Sequence, residues 1–137
     1  MAEKAPTRLT TLKRRAEFLA AAGKGWRAAR PSMTVQARPS GFGAGARVGF
    51  TCSKKVGDAV RRNRAKRRLR EAARLTLGDL ARPGWDYVLI GRPEATAARP
   101  FDALLDDLRQ AVARVHGRAD AGAPFDAPPP RRGKRRK

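Results

Sequence analysis

The chain has 137 residues, the length of one domain, and carries 32 Lys and Arg against 12 Asp and Glu, for a formal charge of +20. A polyanion is therefore the expected partner, with nucleic acid first. A single cysteine, Cys52, excludes an intrachain disulfide, and with a single histidine, His116, it excludes a Cys/His zinc module.

No apolar run approaches the ~20 residues of a membrane-spanning helix, and the N-terminus lacks the apolar core of a signal peptide. A cytoplasmic, reducing setting is expected. Residues 1–7 offer nothing to bury and read as a disordered N-terminus. From Leu9, the residues Leu9, Leu12, Ala16 and Leu19 recur at helical spacing and predict a first helix that ends near Gly23 and Gly25. Phe18 falls off that stripe beside Thr11, Arg15 and Ala22, either as a base-stacking surface or as a broadening of the apolar face.

Met33 to Arg38 and Arg47 to Ser53 flank the loop PSGFGAGA and read as paired antiparallel strands. Met33, Val35 and Ala37 alternate with Thr34, Gln36 and Arg38, and Val48, Phe50 and Cys52 alternate with Arg47, Gly49, Thr51 and Ser53. One face is apolar and the other a shallow polar floor, which suits either an extended nucleic-acid strand or plain solvent.

SKKVGDAVRRNRAKRRLRE, from Ser53 to Glu71, predicts a basic helix entered through Lys54, Lys55, Val56 and Gly57, with Asp58 as N-cap. At about 100° per residue, Asn63, Arg67, Arg70 and Arg74 form one stripe and Ala65, Leu69, Ala72 and Ala73 another. The first suits phosphate and the second a core, while Arg62 projects toward the core side. Thr76 to Gly78 marks the end of this helix. Asp86 to Arg92 then predicts a central strand buried on both faces through Val88, Leu89 and Ile90. A last helix runs from Phe101 to His116, with Leu104, Leu105, Leu108, Val112 and Val115 inward, Asp106 and Asp107 exposed, and Gly117 as its stop. Residues 117–137 read as a disordered basic tail that either adds attraction to RNA or is a solvated extension. The order of elements predicts an α+β sandwich with helices on one sheet.

Enzyme signals are missing. GFGAG at Gly41 to Gly45 lies between strands rather than opening a helix, so it reads as loop and not as a dinucleotide fingerprint. No carboxylates cluster with the basic face, as a self-sufficient metal nuclease would need. A structural ribosomal or nucleoid-binding protein remains the competing class.

The run SKKVGDAVRRNRAKRRLRE closely resembles the signature of the bacterial ribonuclease P protein subunit. The likeness extends over about residues 8 to 116, through Glu17-Phe18, Arg47-Val48-Gly49 and Asp86-Tyr87 in family order. It implies a single ribosomal-protein-S5-like domain over 8–116 with a left-handed βαβ crossover. It also implies a protein cofactor of a catalytic RNA that removes the 5′ leader of precursor tRNA, with Mg²⁺ used by the RNA and no metal assigned to the protein. The partners implied are that RNA subunit and precursor tRNA, with no obligate protein partner. By resemblance, Arg62, Asn63, Arg64, Lys66, Arg67 and Arg70 face the catalytic RNA, and Phe18, Arg47, Thr51, Ser53 and Lys54 touch the leader. Ala22 and Gln36 stand where relatives often carry aromatics, and Trp26 is either a substitute stacking residue or a surface anchor.

Overall fold

The computed structural model describes residues 7–41, 43, 45–52, 59–92 and 94–126. Its strands are β1 (Leu9–Thr11), β2 (Trp26–Ala29), β3 (Met33–Pro39), β4 (Ala46–Cys52) and β5 (Trp85–Gly91). Its helices are α1 (Arg15–Gly23), α2 (Ala59–Ala72), α3 (Gly78–Leu80), α4 (Ala95–Ala98) and α5 (Phe101–Asp120), with a π-helical turn over Ala73–Leu77 joining α2 to α3. The strands form one mixed sheet in the order β1-β4-β5-β3-β2, so the architecture is α+β.

The expected hairpin of β3 and β4 does not form. β5 lies between them, antiparallel to β3 and parallel to β4. β5, with Val88 and Leu89 buried on opposite faces, takes the central place, where both rows of its backbone N–H and C=O groups are bonded. The Pro/Gly loop instead wraps the entrance of β5. Ser40 and Gly41 N–H both donate to the Gly84 carbonyl (2.7 and 2.8 Å), and Gly84 N–H donates to that of Gly45 (2.8 Å). Gly41 and Gly84 take φ of +72° and +81°, which a side chain would resist.

Alternation then sorts the sheet into two faces. Met33, Val35, Ala37, Val48, Tyr87 and Leu89 point to one side, where α2 contributes Leu69 and Ala72 and α5 contributes Leu104, Leu108, Ala111, Val112 and Val115. Each fully buried Leu or Val there is worth roughly 1.5–3 kcal/mol. The other face carries only a small cluster of Leu12, Ala21 and Val88, flanked by Phe18 and Ile90, under α1. Helices therefore cover both faces, not one, and α1 is the lightly held layer.

The first helix begins later than its periodicity predicts. Leu9 belongs to β1, which pairs in parallel with β4, and the helix starts at Arg15 because Glu17 accepts the Lys13 and Arg14 amides (3.1 and 3.0 Å). Leu19 is 56% exposed while Ala21 is buried, so the inward face is that of Phe18 and Ala21. Trp26 is neither a stacking platform nor a surface anchor: it is buried against Trp85, with ring centroids 5.9 Å apart.

At the other end, α5 passes through Gly117 to Asp120, and the left-handed residue that stops it is Gly122 (φ +74°). Residues 117–126, expected to be tail, are a last helical turn and a segment docked on Trp26. Residues 127–137 lie outside the described residues. Asp107 is not exposed either. It is buried, accepting Ser32 N–H and Oγ–H (3.2 and 2.7 Å) and pairing with Arg99 (2.7 Å). Asp106 stays at the surface and accepts Gln110 Nε2.

Candidate nucleic-acid interface

The two faces of α2 separate as its projection predicts. Ala65, Leu69, Ala72 and Ala73 are at most 2% exposed, and Asn63, Arg64, Arg67, Arg70 and Arg74 are exposed. Small core residues let the helix lie close to the sheet. Arg74 pairs with Glu71, and the Arg70 guanidinium sits 5.8 Å from the Phe50 ring centroid on β4. Arg62 and Lys66 are half-buried near the end of β4, where burial pushes the Cys52 thiol up in pKa against their opposing charges.

Arg68 is different in kind. Its guanidinium donates to the carbonyls of Thr96 and Ala97 (3.1 and 2.7 Å) and of Arg99 (2.6 Å), which fastens α2 to the α4 connector.

On the opposite face, β4, β5, β3 and β2 set side chains in rows across the sheet. Gly49, Val88, Gln36 and Arg27 make one row, and Thr51, Ile90, Thr34 and Ala29 the next. With Lys13, Arg15 and Phe18 from the α1 side, members of these rows line an open cleft of about 410 Å³. Its floor is apolar and polar in alternation, its rim is cationic, and two aromatic rings, Phe18 and Phe50, line it. That combination accepts an extended single strand, by stacking and by phosphate attraction.

The joint that holds α1 over this cleft is built from two adjacent helix residues and two alternate strand residues. Arg47 Nε and Nη2 donate to the two oxygens of buried Asp86 (both 2.8 Å), and Nη1 donates to Glu17 Oε2 (2.7 Å). Two residues on, Gly49 leaves room for Phe18: a Cβ there would lie 2.6 Å from the ring. Backbone amides of Arg14 and Lys13, then Arg47, hold the Glu17 carboxyl below its ordinary pKa. What Glu17 adds is thus present above its unfolded pKa and is lost only as pH falls through the depressed folded value.

Beyond Val48 the β1 ladder stops, its last bond running from Leu12 N–H to the Val48 carbonyl (2.9 Å). Among the described residues the rest of this edge of β4 has no ladder partner, and it is shared by the cleft, through Phe50 and Thr51, and by α2, through Phe50 under Arg70.

A family model described as Ribonuclease P matches residues 7–116. The chain belongs to the ribonuclease P protein family. It is 64% identical over 110 residues to the ribonuclease P protein component of Ruegeria pomeroyi, covering 79% of this chain and 87% of the relative. The corresponding protein of Paramagnetospirillum magneticum is 51% identical, over 79% and 84% of the two chains. The fold matches the RNase P protein of Thermotoga maritima at 28% identity and a TM-score of 0.66, covering 77% of this chain and 96% of that one. The Staphylococcus aureus protein matches at 26% and 0.64, over 77% and 95%.

Within the ribonuclease P protein frame, the residues assigned by resemblance occupy distinct places. Asn63, Arg64, Arg67 and Arg70 share an open surface, and Arg62 and Lys66 border it beside β4. Phe18 and Thr51 line the cleft. Arg47 is turned inward, its side chain 10% exposed, so the structure uses it as a joint rather than as an open phosphate contact. Ser53 and Lys54, like Asp58, lie outside the described residues. Sequence reasoning missed Lys13 and Arg15 at the rim and Val88 and Ile90 in the floor. The alternation of β5 against Tyr87 and Leu89 was the signal for the latter pair.

Proposed function

We propose that this chain is the protein cofactor of a catalytic RNA, binding that RNA through the exposed face of α2 and the single-stranded 5′ leader of precursor tRNA in the cleft under Phe18. The observation that carries the reading is that Phe50 on β4 both lines the cleft and lies under Arg70 of α2, which joins the two surfaces. A cationic body between two RNAs lowers their mutual repulsion, and a cleft that holds the leader favours precursor over product.

In this reading the phosphodiester bond is hydrolysed by the RNA subunit with Mg²⁺, in the cytoplasm. Among the described residues, Glu17, Glu71, Asp86, Asp107, Asp120 and Asp126 each pair with an arginine. Among the described residues no three His, Cys, Asp or Glu side chains come together. The parallel β4–α2–β5 crossover is taken as the left-handed one of an S5-like domain.

The test is the ratio of precursor to mature tRNA affinity for ribonuclease P RNA, with and without this chain. Stacking of even one leader base is worth about 1–3 kcal/mol, so the chain is expected to raise the ratio roughly tenfold. A ratio it leaves unchanged contradicts the reading.

A further inference from the structure

β1 is the edge strand beside β4. The Arg8 carbonyl accepts Ala46 N–H (2.8 Å) and Leu12 N–H donates to the Val48 carbonyl (2.9 Å), so the even-numbered residues bond to β4. Alternation in this parallel pair turns the backbone N–H and C=O of Leu9 and Thr11 away from the sheet. Three residues offer little to an added strand. Outward amides suit phosphate oxygens as well.

The side chains alternate too. Thr10, opposite Arg47, stands on the α1 side of the sheet, and Thr11, opposite Val48, stands on the α2 side. Two hollows meet over them. One, of about 510 Å³, is lined by Thr10, Thr11, Lys13, Arg14, Glu17 and Arg47. The other, of about 230 Å³, brings Thr10 and Thr11 together with Phe50, Arg70 and Arg74. The exposed face of α2 therefore continues across β1 to the start of α1, where Lys13 also lines the cleft.

The charge of the larger hollow is not cancelled from within. Its carboxylate, Glu17, is committed: Oε1 accepts the Lys13 and Arg14 amides (3.1 and 3.0 Å) and Oε2 accepts Arg47 Nη1 (2.7 Å). Neither the Lys13 nor the Arg14 side chain joins an ion pair among the described residues. Two cations beside two threonine hydroxyls and outward amides are a donor set for phosphodiester oxygens, one that positions a strand without reading its bases.

We infer that the β1 edge is a ledge for the sugar-phosphate backbone of the catalytic RNA, carrying the α2 interface over Thr10 and Thr11 to Arg14 beside the cleft. This rests on the reading of α2 as the face for that RNA. Among the described residues both threonines join the ledge to α2, whereas Lys13 alone joins it to the cleft, so the strand assigned to it is the catalytic RNA and not the leader. The two RNAs then lie side by side at Lys13.

The measurement is the affinity of the full chain for ribonuclease P RNA without tRNA, taken across a salt series. Arg14→Gln is expected to weaken it about tenfold, the loss of one charge-assisted bond, and to lower the slope of log affinity against log salt by about one. The Arg14 amide that Glu17 accepts is kept, so the start of α1 is kept with it. Arg114→Gln, on the exposed side of α5 and outside both hollows, removes the same charge and is expected to change neither quantity. Thr10→Val with Thr11→Val keeps every charge and two branched strand formers. That pair is expected to weaken affinity about tenfold with the slope unchanged. All of these variants should leave the ratio of precursor to mature tRNA affinity as it was.

Unchanged affinity and slope for Arg14→Gln overturn the ledge, and so do equal losses for Arg14→Gln and Arg114→Gln, which report bulk charge alone. A loss confined to leader-bearing precursor gives the hollow to the leader and overturns the assignment to the catalytic RNA. If alanine at both Arg67 and Arg70 keeps affinity and slope while Arg14→Gln loses them, the α2 reading fails and the contact at β1 stands.

Discussion

Replacing Arg67 and Arg70 together by alanine is expected to weaken assembly with the catalytic RNA about a hundredfold, at roughly 1.5 kcal/mol per charge-assisted hydrogen bond. The slope of log affinity against log salt should also fall by about two, one for each phosphate that is no longer neutralised. Both side chains stand on the exposed face of α2, so neither substitution opens the core. Arg68, adjacent in sequence, supplies the contrast. Its guanidinium is committed to the Thr96, Ala97 and Arg99 carbonyls. Arg68→Ala is therefore expected to lower the melting temperature while leaving the salt slope in place. Assembly that keeps its affinity and slope without Arg67 and Arg70 removes the exposed face of α2 from the interface.

Phe18→Ala is expected to lower precursor affinity about tenfold and leave mature tRNA affinity alone, because it removes a stack worth about 1–3 kcal/mol. The same substitution removes the ring that rests on Gly49. A nine-residue helix with one fully buried side chain has little else to hold it, so some loss of thermal stability accompanies the change. General loosening weakens both ligands, whereas removal of a leader-stacking ring weakens one. The precursor-to-mature ratio is therefore the readout, and equal losses for both contradict the placement of the leader under Phe18.

Much of this surface was legible in the residues, for identifiable reasons. The α2 faces follow from helical projection because a helix fixes its own periodicity, so Leu69 inside and Arg67 outside needed no tertiary knowledge. The alternation of β3 and β4 held for the same reason. What failed depended on partners distant in sequence. Nothing local to β3 and β4 says that β5 intervenes. Leu9, Leu12, Ala16 and Leu19 had helical spacing, yet the parallel pairing of Leu9 with Ala46 on β4 claimed the start of the stripe.

Arg47 shows the limit of carrying a role across by motif. Its sequence neighbours leave it as an edge cation, whereas Asp86 and Glu17, 39 and 30 residues away, draw it inward. Glu17-Phe18 and Arg47-Val48-Gly49, read as separate signatures, are the two halves of one joint.

The most direct measurement is cleavage of precursor tRNA at low Mg²⁺ by the purified chain, by ribonuclease P RNA, and by the two together. Removal of the 5′ leader only when both macromolecules are present is the expected result, since the cation supplied by the protein replaces the counterions the RNA alone would need. Cleavage by the chain alone, or RNA activity that the chain leaves unchanged, would contradict the proposed role as the protein cofactor of a catalytic RNA.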